Sequence, residues 1–330
     1  MRTKLPLFLL PLVAVLSGCG ASGAGSAMPS SPAALAPSDL PSLQGAAKAP
    51  IVYSDVWSPG NVDVFKLGRY KKTKRTITSG LNQPTGEAVD SSGNLYVANQ
   101  GCCSTGENVQ VYAPGASTPF RTYQGSPYGP IYDPFGIAIS KSGSLYVADD
   151  CCSHGSGYNV QGVVVYAPGS TNPSGYLYLP GYVSPFFLTL DAKGDLFASS
   201  IVSSGQGAVY EFTGGSGSAT NLGLQGLGNV SGIVFDKNGN LLVADWTNDV
   251  VDVFPSKSTT YSRQIKLPAE PFGLAFTKSY KQLFVSNGST DTPQFEVVDY
   301  ASGKILKTVG KSCSGWCSGM GIAVSPAAFP

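Results

Sequence analysis

Glu87 is the residue of this chain whose type and position most suggest chemistry. It stands in an apolar segment whose pattern recurs five more times. At the matching position the other segments have aliphatic residues: Ile137, Leu188, Ile233, Leu274 and Ile322. A carboxylate on a buried strand is poorly solvated, so it needs a partner or has a raised pKa. Such groups are enriched at functional sites, and a buried pair with a cation is an equal alternative. Glu87 is therefore a speculative catalytic candidate, and no other catalytic residue is predicted.

A second set of polar residues ends the following strand of each repeat. The set contains Asp55, Asn99, Asp149, Ser199, Asp245 and Asn287. It resembles an acidic collar for a metal ion, and the extra carboxylate of Asp150 makes that position more favourable for a cation. The simpler interpretation is structural, because a short Asx side chain bonds the backbone of an adjacent turn. The metal, if any, is not identified by the sequence.

These residues belong to a unit that recurs at intervals of roughly 40 to 50 residues, the period of propeller blades. Three units begin with Pro-x-Gly, at Pro84, Pro134 and Pro271, and the units continue through a turn to a strand such as Leu95-Tyr-Val-Ala-Asn99. Gly and Asn in these turns tolerate positive φ, which is typical of tight hairpins. The 41 Gly and 24 Pro also fit many short strands joined by turns. The repeat predicts blades of about four antiparallel strands.

The two ends of the repeat region predict how the ring closes. Residues 51–55 match the second strand of a unit and residues 61–65 the third, but no first strand precedes them. Residues 319–325 match a first strand with nothing after it. We therefore predict an all-β, six-bladed β-propeller in which the C-terminal strand completes the N-terminal blade and removes both free edges.

This pattern resembles the NHL-repeat family and the wider six-bladed, TolB-like superfamily that includes gluconolactonase- and regucalcin-like proteins. The resemblance covers about residues 51–325 and rests on the Pro-x-Gly start, the Gly turn and the Tyr-Val-Ala-Asp/Asn strand. It implies the fold and little about function, since this fold hosts hydrolases, lyases, sensors and binding modules.

In such a propeller, the connections from second to third strand and from blade to blade share one face. The unusual residues all fall in these connections: Trp57, Trp246, Trp316, His154, Cys102, Cys103, Cys151, Cys152, Cys313 and Cys317. The starts of the first strands add residues at the channel mouth on the same face: Thr85, Phe135, Phe186 and Phe272. Together with Asp149 and Asp150, they form the predicted ligand-binding face. The alternatives are that long loops collect such residues and that the Phe side chains only pack beneath the loops.

The first residues have the features of an export signal. Arg2 and Lys4 precede an apolar run, residues 5–16, that is too short to span a bilayer stably. The run ends in Leu16-Ser-Gly-Cys19, which resembles a bacterial lipobox and implies lipidation of Cys19. Residues 20–50 are rich in Ala, Ser, Gly and Pro and predict a flexible tether. The expected organisation is a signal peptide at 1–18, a lipidated Cys and tether at 19–50, and a propeller at 51–330.

The remaining cysteines are expected to form disulfides in an exported protein. Cys313 and Cys317 could close a local loop around Trp316, and this pair ranks first. The adjacent pairs, Cys102-Cys103 and Cys151-Cys152, could form vicinal bridges or link two blades. A thiolate metal site is the rival, and the compartment and the lack of a neighbouring His argue against it.

The formal net charge of +1 and the scattered cations argue against nucleic-acid binding. The run formed by Lys71, Lys72, Lys74 and Arg75 is interpreted as a solvated strand edge. We predict a monomeric binding or scaffold protein that contacts a membrane only through its lipid anchor. In a Gram-negative host it would lie on the outer membrane or face the periplasm. In any other host it would lie on the cell surface. Its partner would be a protein, a small molecule or a carbohydrate. No cofactor and no enzymatic activity are expected. The alternative is a lactonase-like hydrolase that holds a divalent cation such as Ca²⁺ with channel carboxylate and Asn groups.

Overall fold

The computed structural model describes residues 50–71, 73–101, 107–124, 131–150, 161–202, 205–288, 294–310 and 319–328. They form six four-stranded antiparallel sheets arranged as the blades of a propeller, which confirms the predicted fold. In these ranges no helix has the length and hydropathy of a transmembrane span.

The strands are numbered in chain order, and each blade is given from its inner to its outer strand. Blade 1 consists of β24 (Ile322–Ser325), β1 (Ile51–Val56), β2 (Asn61–Lys66) and β3 (Arg75–Ile77). Blade 2 consists of β4 (Pro84–Val89), β5 (Leu95–Asn99), β6 (Asn108–Tyr112) and β7 (Arg121–Gln124). Blade 3 consists of β8 (Pro134–Ile139), β9 (Leu145–Asp149), β10 (Gly162–Tyr166) and β11 (Pro173–Leu177).

The other half of the ring follows the same order. Blade 4 consists of β12 (Pro185–Leu190), β13 (Leu196–Ile201), β14 (Gly207–Phe212) and β15 (Thr220–Asn221). Blade 5 consists of β16 (Val230–Phe235), β17 (Leu241–Asp245), β18 (Val250–Phe254) and β19 (Arg263–Lys266). Blade 6 consists of β20 (Pro271–Phe276), β21 (Gln282–Asn287), β22 (Phe295–Asp299) and β23 (Lys304–Val309). Two short 3-10 segments, Pro180–Tyr182 and Thr213–Gly215, lie in blade 4 connections.

The ring closes as the sequence predicts. Strand β24 pairs with β1 in an antiparallel register that runs from Ile51 opposite Ser325 to Ser54 opposite Ile322. The C-terminal strand therefore supplies the inner strand of the N-terminal blade, and β1 is hydrogen-bonded on both sides. The inner strand of each blade faces the channel, so the outer strand is the sheet edge that faces the outside of the ring.

Apolar side chains fill the spaces between blades, so both faces of the central strands are buried. Fully buried aromatic residues such as Tyr112, Tyr166 and Phe254 contribute most of the volume. The inner strands approach closely because glycine is the third residue of many of them. A Cβ on Gly86 or Gly232 would overlap the carbonyl oxygen of Phe135 or Phe272 in the next blade. The Pro-x-Gly motif thus sets the narrow bore of the channel.

The connections divide between two faces of the propeller. The mouth face carries the second-to-third and blade-to-blade connections, and the turn face carries the first-to-second and third-to-fourth connections. Turns on the turn face are held by their own carboxylates. Asp90 Oδ1, for example, accepts hydrogen bonds from the backbone N–H groups of Ser92 at 2.9 Å and Asn94 at 2.8 Å. Asp191 and Asp236 do the same in blades 4 and 5.

Candidate functional site

Two aromatic pairs line the mouth face around blades 3 to 6. Phe135 and Phe186, at the starts of β8 and β12, stack with ring centroids 4.6 Å apart and planes 22° apart. Trp246 follows β17 and lies 6.1 Å from the ring of Phe272, at 33°. Phe186, Trp246 and Phe272 are each half-buried, so part of every ring stays accessible at the mouth. The arrangement offers flat apolar surfaces to a ligand.

Thr85 and Ser231 occupy the same position in blades 2 and 5, but both are fully buried. The Thr85 hydroxyl donates to the carbonyl oxygen of Pro134 at 2.7 Å, and the Ser231 hydroxyl donates to that of Pro271 at 2.9 Å. Each side chain therefore ties its inner strand to the next blade. Thr85 therefore lies beneath the mouth and contacts the backbone of the next blade.

Asp149 and Asp150 form an acidic corner beside the Phe135–Phe186 pair. Asp149 Oδ1 accepts backbone hydrogen bonds from Tyr132 at 3.0 Å and Asp133 at 2.7 Å. Burial raises the pKa of Asp149 to about 7, although these hydrogen bonds lower it. Burial also raises the pKa of Asp150, and a hydrogen bond with the Ser184 side chain lowers it. Asp149 is fully buried, so the half-buried Asp150 is the carboxylate of this corner that can accept a hydrogen bond from a ligand.

The Asx residues that end the second strands mostly brace the backbone. Asn99 accepts from the Asn82 N–H at 3.1 Å and donates to the Gly80 carbonyl at 2.9 Å. Asp245 accepts from the N–H groups of Gly228 at 2.6 Å and Asn248 at 3.1 Å. These contacts give Asn99, Asp149 and Asp245 the capping role of the structural interpretation.

The strand register corrects the predicted set at two positions. Asp55 pairs with Val62, as Ala98 pairs with Val109, so Asp55 lies one residue before the capping position. In blade 4 the capping position belongs to Ser200, which pairs with Pro185 as Asp149 pairs with Pro134. Ser199 instead accepts from the Phe187 N–H at 3.0 Å. Neither Asp55 nor Ser199 therefore belongs to the ring of caps.

Asp55 is the partner of Glu87, and Gly321 of the closing segment lies against both. The Gly321 N–H donates to Asp55 Oδ2 at 2.9 Å. A Cβ on Gly321 would overlap Glu87 Oε2. Both oxygens of Glu87 and Oδ1 of Asp55 are inaccessible to solvent and have no hydrogen-bond partner within the described ranges. We call Asp55 and Glu87 the acid pair.

Burial dominates the electrostatics of the acid pair. It raises the pKa of Glu87 to about 8. Burial and repulsion from Glu87 raise the pKa of Asp55 well above its usual range, against the hydrogen bonds from Gly321 and Met320. Two carboxyl groups in such surroundings do not both ionise at neutral pH, and the pair retains at least one proton.

The acid pair adjoins the central channel, a cavity of about 50 Å³ with room for little more than water. Its lining includes Glu87 and one aliphatic residue from each other blade, namely Ile137, Leu188, Ile233, Leu274 and Ile322. The aliphatic side chains offer no oxygen, and the amide of Asn99 is already engaged. A calcium ion takes six to eight oxygen ligands. The described donors at the channel do not fit such an ion, and no group of three or more His, Cys, Asp or Glu side chains able to hold a metal occurs in the described ranges.

The remaining predicted site residues divide into two groups. Trp57 lies on the mouth face, and its Nε1 donates to Gln100 Oε1 at 3.1 Å. Trp246 Nε1 is buried and has no partner among the residues that the structure describes. Several predicted residues lie outside the described ranges: Cys19, Cys102, Cys103, Cys151, Cys152, His154, Cys313, Trp316 and Cys317. The expected disulfides and the lipidation therefore stay predictions.

Comparisons with known proteins support the fold alone. No family model and no curated protein matches this chain. Among solved structures, a chain of a nidogen/laminin complex matches with a TM-score of 0.65 and 16% identity over 84% of this chain and 98% of that one. A protein of unknown function from Bacteroides caccae matches with a TM-score of 0.62 and 12% identity over the same shares. In all, 1127 solved chains match, so the likeness does not select a function.

Proposed function

We propose that this protein is a binding module of a bacterial cell envelope, anchored through a lipid at Cys19, that takes its ligand at the mouth face. The observation that carries the proposal is the pair of aromatic contacts, Phe135 with Phe186 and Trp246 with Phe272, beside the Asp149–Asp150 corner. Flat rings beside acceptor oxygens suit a ligand with an apolar face and hydroxyl or amine donors, such as a sugar ring or an exposed protein side chain. The likeness to a propeller taken from a nidogen/laminin complex supports binding as one use of the fold.

The proposal is tested with an array of bacterial envelope glycans and with immobilised envelope proteins. Phe186→Ala and Trp246→Ala should each weaken the strongest interaction of the parent chain about tenfold, because central aromatic contacts carry most binding energy. Tyr261→Ala is the matched control, since Tyr261 is 41% exposed and lies in a third-to-fourth connection on the turn face. Mouth variants that fold and bind as tightly as the parent would contradict the proposal.

The hydrolase remains a second candidate only because Glu87 lines the channel next to another carboxyl group. It requires a cation that the described donors do not accommodate, so no catalytic step is derived. Elemental analysis of the purified chain and an assay of lactone hydrolysis decide the question. A bound divalent ion and an activity that are both lost in Glu87→Gln would establish the hydrolase.

A further inference from the structure

A strongly basic pocket lies between blades 1 and 6, away from the mouth. Its volume is about 670 Å³, and its lining includes five cationic side chains together with Tyr70: Lys66, Arg69, Lys71, Lys74 and Lys307. All five cations are exposed, and none of them forms an ion pair with a described carboxylate. None of the described residues that line the pocket is acidic. Five positive charges in one concavity produce a local positive potential. This potential favours an anionic ligand over a neutral one.

The connection that carries these charges is held in place by the core. The Arg69 N–H donates to the Lys66 carbonyl at 2.9 Å, and the Lys74 N–H donates to the Val64 carbonyl at 2.7 Å. The Tyr70 ring packs edge-on against Phe284 and Phe295, with centroid distances of 6.1 and 6.0 Å. These contacts fix the described backbone of the connection on both sides of the pocket, so part of the cost of ordering the site is already met.

The chain enters the propeller beside this pocket. The Leu67 N–H donates to the Pro50 carbonyl at 2.9 Å, and Ile51 pairs with Lys66. Pro50 and the start of β1 therefore lie at the turn face. The tether predicted between Cys19 and Pro50 spans a root-mean-square distance of roughly 30 Å if it is flexible. A surface that holds residue 19 would lie within reach of the basic pocket.

Among the described residues outside the pocket, the lysines of the connections lie on the turn face, whereas carboxylates lie on both faces. Connections on the turn face carry Lys141, Lys193, Lys237, Lys257, Lys278 and Lys281. Turn-face carboxylates such as Asp90 and Asp236 accept hydrogen bonds from their own turns. Connections on the mouth face carry Glu107, Asp133, Asp150, Asp249 and Glu270. An anionic plane would attract the turn face and repel the mouth face.

We propose that the basic pocket binds the anionic headgroups of a lipid bilayer and orients the propeller with its turn face on the membrane and its mouth face away. Polybasic surfaces beside a membrane anchor bind anionic bilayers, because each cation near the surface adds to the attraction. This inference goes beyond the proposed function and is independent of it. It rests on the pocket and on the position of Pro50, and lipidation at Cys19 would add to it.

Vesicle flotation tests the proposal with the full chain carrying Cys19→Ser, so that no acyl chain contributes. The probes are phosphatidylcholine vesicles that contain or lack phosphatidylglycerol. We expect binding to the anionic vesicles, loss of that binding at high salt, and a reduction of about tenfold or more in Lys71→Glu/Lys74→Glu. The matched comparison is Lys193→Glu/Lys237→Glu, which makes the same charge change on the turn face outside the pocket and should weaken the binding clearly less than the pocket variant does.

Three outcomes would overturn the proposal. The first is equal binding to the two kinds of vesicle, which would assign any affinity to the apolar N-terminal run. The second is an equal loss of binding in the pocket variant and the control. The third is displacement by inorganic phosphate at a concentration at which sodium chloride of equal ionic strength has no effect, which would make the pocket a site for a free anion. Mouth variants should bind vesicles like the parent chain, so the two proposals can fail separately.

Discussion

At the scale of single residues, the acid pair is the feature that departs most from the repeat. Every other blade has an aliphatic residue in place of Glu87, and a small residue, Ala or Ser, in place of Asp55. Burying two carboxyl groups together costs free energy unless at least one is protonated. The pair therefore links the stability of the closed ring to pH, through residues on its first and second blades.

Glu87→Gln should remove most of that linkage. The pKa of Glu87 rises from an ordinary 4.5 to about 8 on folding, so the native state binds its proton more tightly than the unfolded state. The stabilisation is complete below the ordinary pKa and is lost as the pH rises through about 8. Between pH 4.5 and pH 8, the unfolding free energy of the parent should therefore fall more than that of Glu87→Gln. The difference should be at least about 1.4 kcal/mol, which is the equivalent of one pKa unit.

Urea melts at several pH values measure this difference. Glu211→Gln, a variant on β14 away from the channel, serves as the control and should follow the parent. Parallel pH profiles for the parent and Glu87→Gln would show that the carboxyl group of Glu87 is not held protonated by its surroundings.

At the scale of the elements, glycines allow the inner strands of neighbouring blades to approach closely. Gly321 is the glycine that lies against the acid pair. An added Cβ would meet Glu87 Oε2 and would lie 2.9 Å from the Gly86 Cα. The same residue donates its N–H to Asp55. Closure of the ring and burial of the acid pair therefore depend on one backbone position.

Gly321→Ala should lower the unfolding free energy by about 1–3 kcal/mol, since overpacking forces strands or side chains apart. Gly175→Ala on β11 is the matched control, because a Cβ there has no atom within 4 Å and the backbone is not in the left-handed region. A shorter side chain should relieve the clash, so Gly321→Ala/Glu87→Ala should be less destabilised than the sum of its single variants. Thermal melts that show Gly321→Ala as stable as the control would contradict this account.

The sequence predicted the elements better than their register. Six repeats of one pattern, an N-terminal blade without its first strand and a lone C-terminal strand were enough to predict the ring. The position of Asp55 was wrong by one residue, because it was matched by residue type to the Asx that ends the other second strands, whereas its pairing with Val62 places it one position earlier. Asp55 and Gly321 are separated by 266 residues, so no local pattern shows that they meet. An alignment of the repeats shows that Glu87 replaces an aliphatic residue. The same alignment does not show that Asp55 lies beside it.

At the scale of the whole molecule, the two faces differ in chemistry. The mouth face has aromatic rings and carboxylates, and the turn face has lysines and the start of β1. This polarity could not be predicted from composition, because the net charge of +1 averages the two faces. It became apparent only when each connection was assigned to its end of the blade.

Acylation at Cys19 is the prediction at this scale. In a bacterial host, the parent chain should leave the membrane fraction only with detergent, whereas Cys19→Ser should be released by high salt. The reason is that one surface of cationic residues binds a membrane less firmly than acyl chains do. Mass spectrometry of the parent should show a diacyl or triacyl modification on a mature chain that begins at residue 19. An unmodified chain that retains residues 1–18 would refute the predicted processing.

The position of β1 between β24 and β2 also has a mechanical consequence. A pull on residue 50 acts along a strand that is hydrogen-bonded on both edges. Both ladders carry the load in shear, so several hydrogen bonds must break together, whereas an outermost strand could peel away one bond at a time. Tension applied at residue 50 should therefore leave the propeller folded up to a higher force than tension applied to an outer strand.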